Sequence, residues 1–198
     1  MYQVSMKIEG IADFLFNRMT EEDLGDFKGG KSGGQMTDDQ RLKRAEGKVY
    51  SDEAGLFLPP WTVKKLFLNG AFEGKLKLSK KPLHRIIAAM VFVQGPGRFV
   101  DDRGKPVVER DYIHQITGRT PPRTGAMTIV RRPAMKAGWK IQATMAVLDD
   151  TLPVEALRNA IETAGLYVGV GSWRPEFGRF VLREWAIDRP EVKAAKKK

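Results

Sequence analysis

Apolar and polar side chains alternate strictly at the start of the chain, and this feature constrains the fold more than any other. The alternation runs through residues 2–9, YQVSMKIE. Because successive side chains of a β-strand point to opposite faces, the pattern predicts a strand with one buried and one solvated face. The apolar run at residues 11–16, IADFLF, is expected to extend this strand or to follow it.

Two amphipathic helices are predicted farther along the chain. The first begins near Trp61, after a Pro-Pro pair, and its apolar face is formed by Val63, Leu66, Phe67 and Gly70. The second follows the capping sequence at residues 149–151 and ends at Gly165, with an apolar stripe formed by Val154, Leu157, Ile161 and Ala164. Each stripe requires an apolar surface to pack on, such as the buried face of a sheet.

The remaining segments predict short strands. They are a strand pair at 48–58, a central strand at 85–93, two strands at 126–132 and 139–148 joined by a hairpin connection at 133–138, and a last strand at 179–187. Residues 104–124 hold several prolines and glycines and are expected to be irregular. Without its additions the order is βαββαβ. We therefore predict an α+β fold of the ferredoxin-like or RNA-recognition-motif-like type, in which an antiparallel sheet has two helices on one face and an open face for a ligand.

A single domain is predicted to span residues 1–190. Residues 19–47 interrupt it with few apolar side chains and many glycines and charges, which predicts a mobile, projecting insertion containing a short helix at 38–45. Residues 191–198 are predicted to form a disordered basic tail.

The composition excludes several kinds of site. The chain has no cysteine and only two histidines, His84 and His114. A disulfide framework, a cysteine-based zinc or iron–sulfur site, a thiol nucleophile and a multi-histidine metal centre are therefore excluded, and we expect no cofactor. No apolar run approaches the roughly 20 residues that span a bilayer, and the N-terminus lacks the pattern of a secretion signal, so we expect a cytoplasmic protein without a membrane partner.

The charge of the chain favours a polyanionic partner. Lys and Arg total 34 against 24 Asp and Glu, which gives a net charge of +10. Residues 112–148 contain no acidic residue, yet they hold six cations: Arg119, Arg123, Arg131, Arg132, Lys136 and Lys140. Such a segment is typical of a surface that faces phosphates, and a solvated basic face is the alternative interpretation.

Residues 25–32, GDFKGGKS, match the pattern GxxxxGK[ST] of a phosphate-binding P-loop. A P-loop follows a buried strand and starts a helix at its Lys-Ser pair. Here the segment MTEEDL precedes the match, and Gly33 and Gly34 follow it and disfavour a helix. A nucleoside triphosphatase is therefore not the favoured interpretation.

A glycine-rich loop near the C-terminus combines groups that bind nucleic acid. Residues 169–180, GVGSWRPEFGRF, contain the rings of Trp173 and Phe177 and the cations Arg174 and Arg179. Rings of this kind stack on bases, and the cations contact phosphates. A structural turn with buried aromatic side chains is the alternative.

The start of the first helix is a second candidate anion site. Residues 58–65, LPPWTVKK, place Lys64 and Lys65 beside the free amides of the first helical turn. Many helices begin in this way, so the segment alone is weak evidence for a site.

Acid–base catalysis has little support in the sequence. His84 and His114 could act as base and acid in RNA cleavage, but the surrounding residues, KPLHRII and DYIHQIT, do not distinguish them. Asp13 is a lone carboxylate after the first strand, and we expect it to be structural.

In this order the segments resemble the RAMP superfamily, the RNA-recognition-motif-derived proteins of CRISPR effector complexes, and most closely their backbone (Cascade-filament) subunits. Residues 58–64 are similar to the family's Ile-Pro-Gly-Ser-Ser-Leu-Lys start of the first helix, with Pro-Pro-Trp in place of Pro-Gly-Ser. Residues 169–178 are similar to the family's C-terminal glycine-rich loop. The insertion at 19–47 lies where backbone subunits carry a thumb-like hairpin.

The resemblance implies a non-enzymatic subunit of antiviral CRISPR ribonucleoproteins that polymerises along single-stranded guide RNA beside other effector-complex subunits. It grips phosphates without sequence preference and kinks bases with its thumb. The RNA contacts that it implies are Lys64 and Lys65 at the helix start, Gly169, Gly171, Trp173, Arg174 and Arg179 in the loop, and Lys28, Lys31, Arg41, Lys43 and Arg44 in the thumb. To these the acid-free segment adds Arg119, Arg123, Arg131 and Arg132.

Other interpretations remain open at the level of sequence. A RAMP-type endoribonuclease would process guide RNA with His84 or His114, and some relatives cut target RNA with an aspartate near the position of Asp13. A structural or interaction protein of a virus or mobile element would have no nucleic-acid role. The chain is short for a filament subunit, which fits a minimal form or a solitary homologue encoded by a mobile element.

Overall fold

The computed structural model describes residues 1–24, 37–120 and 126–189. Its strands are β1 (Tyr2–Gly10), β2 (Phe14–Leu15), β3 (Ser51–Asp52), β4 (Gly55–Leu58), β5 (Lys77–Leu78), β6 (Lys81–Pro82), β7 (Val91–Val93), β8 (Gly97–Val100), β9 (Tyr112–Thr120), β10 (Ala126–Met135), β11 (Lys140–Val147) and β12 (Phe180–Asp188). Its helices are α1 (Asp38–Glu46), α2 (Pro60–Glu73), α3 (Leu83–Met90) and α4 (Val154–Thr163), and a π-helical turn (Ala164–Val168) extends α4. None of the described helices is long and apolar enough to cross a membrane.

The main sheet has the strand order β12–β1–β11–β8–β4–β3, and β7 pairs with the other half of β11. Strand β1 lies inside this sheet and is antiparallel to both neighbours, so that Met6 pairs with Ala143 on one side and Trp185 on the other. Without its additions the chain runs β1–α2–β8–β11–α4–β12, and the four strands stand in the order fourth, first, third, second. The predicted α+β plan of the ferredoxin-like type is confirmed.

The alternation in β1 sets the position of the core. Its apolar members are at most 1% exposed: Tyr2, Val4, Met6 and Ile8. Helices α2 and α4 pack against this side of the sheet through their buried stripes. The two helices approach most closely at Gly70, where an added Cβ would lie 1.8 Å from the carbonyl oxygen of Ala160. Any side chain at Gly70 would therefore force the helices apart.

The helix ends agree with the sequence in one case and not in the other. Helix α2 begins with Pro60 in its first turn, as the sequence predicts, and of the two glycines that could end it, Gly70 and Gly74, it ends at Gly74. The predicted end of the second helix at Gly165 is wrong, because the chain continues through the π-helical turn and leaves it at Gly169 with a φ of 74°. At Gly165 an added Cβ would lie 2.3 Å from the Phe180 carbonyl oxygen, so this glycine permits close packing on β12.

The predicted central strand at residues 85–93 is also wrong. Residues 83–90 form α3, and only residues 91–93 form a strand. Leu83 and Ile87 are buried one helical turn apart, whereas Arg85 between them is exposed. A short apolar run does not distinguish a helix from a strand, and here the burial follows the helical period.

A further correction concerns residues 104–135. The sequence predicts irregular chain at 104–124, but residues 112–120 form the nine-residue strand β9. Strand β10 pairs with β9 and β2 in a second sheet, so the predicted hairpin at 133–138 instead carries the chain between two sheets. Strand β9 takes its hydrogen bonds from the next strand along the chain, β10, and its few apolar residues show no two-residue alternation that would reveal it.

Helix α1 confirms the predicted short helix at 38–45. The Thr37 hydroxyl accepts a hydrogen bond from the Gln40 amide, and the Gln40 side chain accepts one from the Thr37 amide, which forms a capping box. Arg131 of β10 donates to the Asp38 carboxylate at 3.3 Å and so links α1 to the second sheet.

Candidate nucleic-acid interface

A cleft of about 670 Å³ opens between α2 and the loop at residues 169–178, which we call the glycine loop. Helix α2 contributes Thr62 and Lys65 to its lining, and the glycine loop contributes Gly171, Trp173 and Arg174. More of the lining comes from Tyr50, from the π-helical turn and from the residues that follow β2. The two segments that the sequence marks as nucleic-acid-binding candidates therefore face one space.

Close backbone approaches fix the conformation of the glycine loop. Gly169, Gly171 and Gly178 have φ angles of 74°, 90° and 73°, which side chains disfavour. An added Cβ at Gly178 would lie 1.7 Å from the Val170 carbonyl oxygen, and one at Gly171 would lie 2.6 Å from that of Leu15. The loop is thus held tightly against itself and against β2.

The aromatic side chains of the glycine loop meet β9 at His114. The His114 ring centroid lies 6.0 Å from that of Trp173 and 5.0 Å from that of Phe177, both in edge-on geometry. Trp173 has a φ of 53°, a region that bulky residues rarely adopt. Such strain persists where the surroundings over-determine the conformation, and it is typical of functional sites. Trp173 is half-buried and lines the cleft.

Cations without salt-bridge partners border the cleft. Lys65 and Arg174 line it and are exposed, and the guanidinium of Arg18 lies 6.0 Å from the centre of the Tyr50 ring. Across the part of the chain that the structure describes, none of these three cations forms an ion pair. One carboxylate, that of Glu73, lines the cleft at the C-terminal end of α2. Ring faces combined with positive charge suit a phosphodiester strand.

Arg132 has a guanidinium with an unpaired donor. It pairs in register with His114, so both side chains project from the same face of the second sheet. Its Nη1 donates to the Arg131 carbonyl oxygen at 3.2 Å, but its Nε is buried without a hydrogen-bond partner. Burial lowers the pKa of Arg132, although Asp23 opposes this shift. This unpaired Nε is shielded from solvent, and Arg132 does not line the cleft.

Asp23 neutralises part of the neighbouring positive charge. Its carboxylate accepts hydrogen bonds from Lys48 and from Arg44, the latter at 2.6 Å. Burial alone would raise the pKa of Asp23, but the bonds from Lys48, the Thr20 backbone and Arg44 hold it well below its ordinary value. Burial lowers the pKa of Lys48, and its bond to Asp23 opposes that shift. Arg44, a predicted thumb contact, is thus engaged by a carboxylate.

Two further predicted contacts lie near the cleft without lining it. Lys64 contacts α3 and β7: its Nζ donates to the Ala88 carbonyl oxygen at 2.8 Å and lies 5.0 Å from the centre of the Phe92 ring. Arg179 donates through Nε to the Pro175 carbonyl oxygen at 2.9 Å, and so its side chain stays with the glycine loop.

The remaining predicted contacts belong to the insertion and the acid-free segment. Arg131 donates to Gln115 and Asp38, Arg41 is half-buried on α1, and Lys43 is exposed there. The predicted contacts Lys28, Lys31 and Arg123 and the side chain of Arg119 lie outside the described residues, as does the predicted tail at 191–198.

The carboxylate of Asp13 is occupied at both oxygens. The Tyr112 hydroxyl donates to one, and the Ala137 amide donates to the other at 2.8 Å. Burial, together with the bond to Asp13, raises the pKa of Tyr112 to about 12. These contacts tie the segment after β1 to the second sheet, in agreement with the structural role that the sequence predicts.

The two histidines contact different groups of rings. His84 lies edge-on to Phe72 at 5.5 Å, whereas His114 contacts the rings of the glycine loop. No contact joins them within the described ranges, so the geometry does not assemble them as an acid–base pair.

The polar face of the main sheet is engaged in ion pairs. Lys7 and Glu9, two polar members of the β1 alternation, pair with Glu184 and Arg183 of β12 at 2.6 and 3.0 Å. Paired charges leave little positive potential for a polyanion. The cleft is therefore a stronger candidate site than the open sheet face.

Sequence reasoning misses three side chains at the cleft: Arg18, Tyr50 and Tyr167. Tyr167 lines the cleft with 70% of its surface exposed. Its position two residues before the glycine loop is a signal that could have identified it. Arg18 and Tyr50 carry no local signal, because only the folded chain brings them together.

The comparisons with known proteins give similarity to solved structures alone. No family model matches the chain, and no curated protein matches it. Among solved structures, it is similar to Cmr6 from Pyrococcus furiosus, with 9% sequence identity, a TM-score of 0.49, and coverage of 92% of this chain and 98% of that one.

Proposed function

We propose that this protein binds single-stranded RNA in the cleft between α2 and the glycine loop, without sequence preference and without cleaving it. The observation that carries the proposal is that Lys65 of α2 lines the same space as Trp173 and Arg174 of the glycine loop. These are the groups that single-strand binding requires, namely a ring for stacking and cations for the phosphate backbone.

The cleft divides the contacts between bases and phosphates. Trp173 offers an aromatic face, and base–aromatic stacking contributes about 1–3 kcal/mol per base without selecting a sequence. Lys65 and Arg174 are exposed and unpaired in the described structure, so they bind phosphates without first breaking a salt bridge. In this proposal Arg132, which projects beside His114, adds a positive charge near the glycine loop.

We further propose that the protein acts as a backbone subunit that polymerises along guide RNA in a CRISPR-type effector complex. The resemblance of residues 58–64 and 169–178 to RAMP proteins supports this step. In this proposal the insertion is the thumb, and Lys28, Lys31, Arg41 and Lys43 contact the RNA from it. Arg119 and Arg123 extend the basic surface from the second sheet.

Equilibrium titration of a labelled single-stranded RNA tests the binding proposal. Trp173→Ala is expected to weaken binding about fivefold to 150-fold, which corresponds to one stacked base. Arg174→Gln is expected to reduce the slope of log K against log salt by about 0.7, the value for one phosphate contact on a single strand. The same mixtures on size-exclusion chromatography are expected to show particles that grow only when RNA is present.

Arg103→Gln is the matched control, because Arg103 is an exposed arginine on the turn after β8, outside the cleft. It is expected to change affinity and salt slope less than Arg174→Gln does. Equal binding by the wild type and both cleft variants would contradict the proposed site. Multimers of the same size with and without RNA would contradict the polymerisation.

A further inference from the structure

A second basic surface lies on the ribbon formed by β5 and β6 and at the start of α3. Residues 74–100 contain no acidic residue. Five cations at the beginning of this segment are exposed, and we call them the lysine ribbon: Lys75, Lys77, Lys80, Lys81 and Arg85. None of the five forms a salt bridge within the ranges that the structure describes.

The lysine ribbon is fixed in place by its apolar residues. Leu76 and Leu78 pack against the core, so the lysines that alternate with them are held toward solvent. The Leu76 amide donates to the Ala71 carbonyl oxygen at 3.0 Å, and the Leu83 amide donates to that of Leu76 at 2.9 Å. Five like charges on one anchored segment repel each other and create a positive potential that attracts an anion.

The ribbon adjoins the RNA cleft at one end of α2. The cleft is lined along α2 from Thr62 to Glu73, and Lys75 follows two residues after Glu73. Helix α2 has 14 residues, which corresponds to a length of about 20 Å. An RNA strand that runs along α2 through the cleft therefore leaves the cleft beside the lysine ribbon.

Aromatic side chains accompany the cations here as they do in the cleft. Phe72 is 62% exposed, and its ring lies 5.5 Å from that of His84 in edge-on geometry. Phe72 is near the end of α2, and His84 is the second residue of α3. Exposed rings beside lysines supply the same two kinds of contact, stacking and charge, that a single strand uses.

We propose that the lysine ribbon binds the phosphates of a second segment of the same RNA, the part that continues past the C-terminal end of α2. The inference rests on the proposed function, because it requires a strand in the cleft. Lysine is a point charge well suited to phosphate. It is also depleted at protein–protein interfaces, which disfavours an acidic protein as the partner.

The double variant Lys77→Gln/Lys81→Gln tests the inference with two single-stranded RNAs of roughly 4 and 16 nucleotides, a range that covers the site sizes of small single-strand binding modules. For the longer RNA the slope of log K against log salt is expected to fall by about 1.4. The ratio of wild-type affinity to variant affinity for the longer RNA is then about sevenfold larger at 50 mM salt than at 200 mM. For the shorter RNA, which fills only the cleft, the variant is expected to match the wild type.

Arg103→Gln/Lys105→Gln removes two exposed cations elsewhere and is the matched control. For the longer RNA, the salt slope of this control is expected to be closer to the wild-type slope than that of the ribbon variant is. If the ribbon variant and the control bind the longer RNA equally well, the inference is wrong. The proposed function is still supported in that case if Trp173→Ala weakens binding. If the wild type binds neither RNA, the proposed function fails, and the inference fails with it.

Discussion

Gly178 shows how much the glycine loop depends on a single residue type. Its φ of 73° is in the left-handed region, and an added Cβ would also lie 1.7 Å from the Val170 carbonyl oxygen. The loop therefore needs glycine for two separate reasons, the conformation and the space. Gly104 has nearly the same φ, 77°, but nothing lies within 4 Å of the place where its Cβ would be.

Gly178→Ala is expected to lower the free energy of unfolding by about 2–5 kcal/mol, since it combines left-handed strain with overpacking. Gly104→Ala carries only the strain and is expected to lose about 1–2 kcal/mol. Urea unfolding of both variants measures the two values. Losses of the same size would show that the close approach at Val170 is unimportant.

The turn of helix at residues 21–24 is joined to the end of α1 by one partly buried carboxylate. Asp23 accepts hydrogen bonds from Arg44 of α1 and from Lys48 just after it. The side chains of Asp23 and Lys48 are only 14% and 10% exposed. Removing the carboxylate would leave the Lys48 ammonium buried with its main partner gone, which is costly.

Asp23→Asn is expected to destabilise the protein by about 2 kcal/mol at pH 7. The pKa of Asp23 is lowered in the folded state, so its contribution is complete above the unfolded pKa of about 3.9 and is lost as the pH falls below that value. The difference between wild type and variant in thermal or urea unfolding should therefore shrink between pH 5 and the acid range. A difference that stays constant into acid would contradict this role. Glu53→Gln, at an exposed glutamate, is the control and should follow the wild type at each pH.

Elements with a clear local period could be predicted from the sequence, and elements without one could not. Strand β1 and helices α2 and α4 each carry one unambiguous apolar pattern, and the structure forms all three. Helix α3 has too few polar residues to show its period, so residues 85–93 resemble a strand. Strand β9 pairs with the next strand, β10, but its apolar residues Ile113 and Ile116 do not alternate with polar ones, so no strand period marks it.

Positive charge is unevenly distributed over the whole molecule. Unpaired cations border the cleft and form the lysine ribbon, whereas Lys7 and Arg183 on the polar face of the main sheet are in salt bridges. Among the described residues, unpaired cations therefore lie near the rings of both Trp173 and Phe72. An uneven field of this kind steers a polyanion to one side of the protein.

The candidate site could be predicted in part, for a physical reason. The glycine loop and the start of α2 are contiguous segments, so their composition identifies them before the fold is known. The sheet topology brings these two segments into one cleft with Tyr50 and the chain after β2, and composition does not reveal this. In the same topology Lys64 bonds to Ala88 and Arg131 bonds to Asp38, and the sequence does not indicate either contact.

Ultraviolet crosslinking of the wild-type protein to single-stranded RNA, followed by mass-spectrometric mapping of the crosslinked peptides, tests the central claim most directly. A strand that lies in the cleft is expected to crosslink at Trp173 or Phe177 of the glycine loop, with His114 as the neighbouring ring. Trp173→Ala should redistribute these crosslinks along the same loop. Crosslinks found only on the polar face of the main sheet or in the basic C-terminal residues, with none in the glycine loop, would contradict the account.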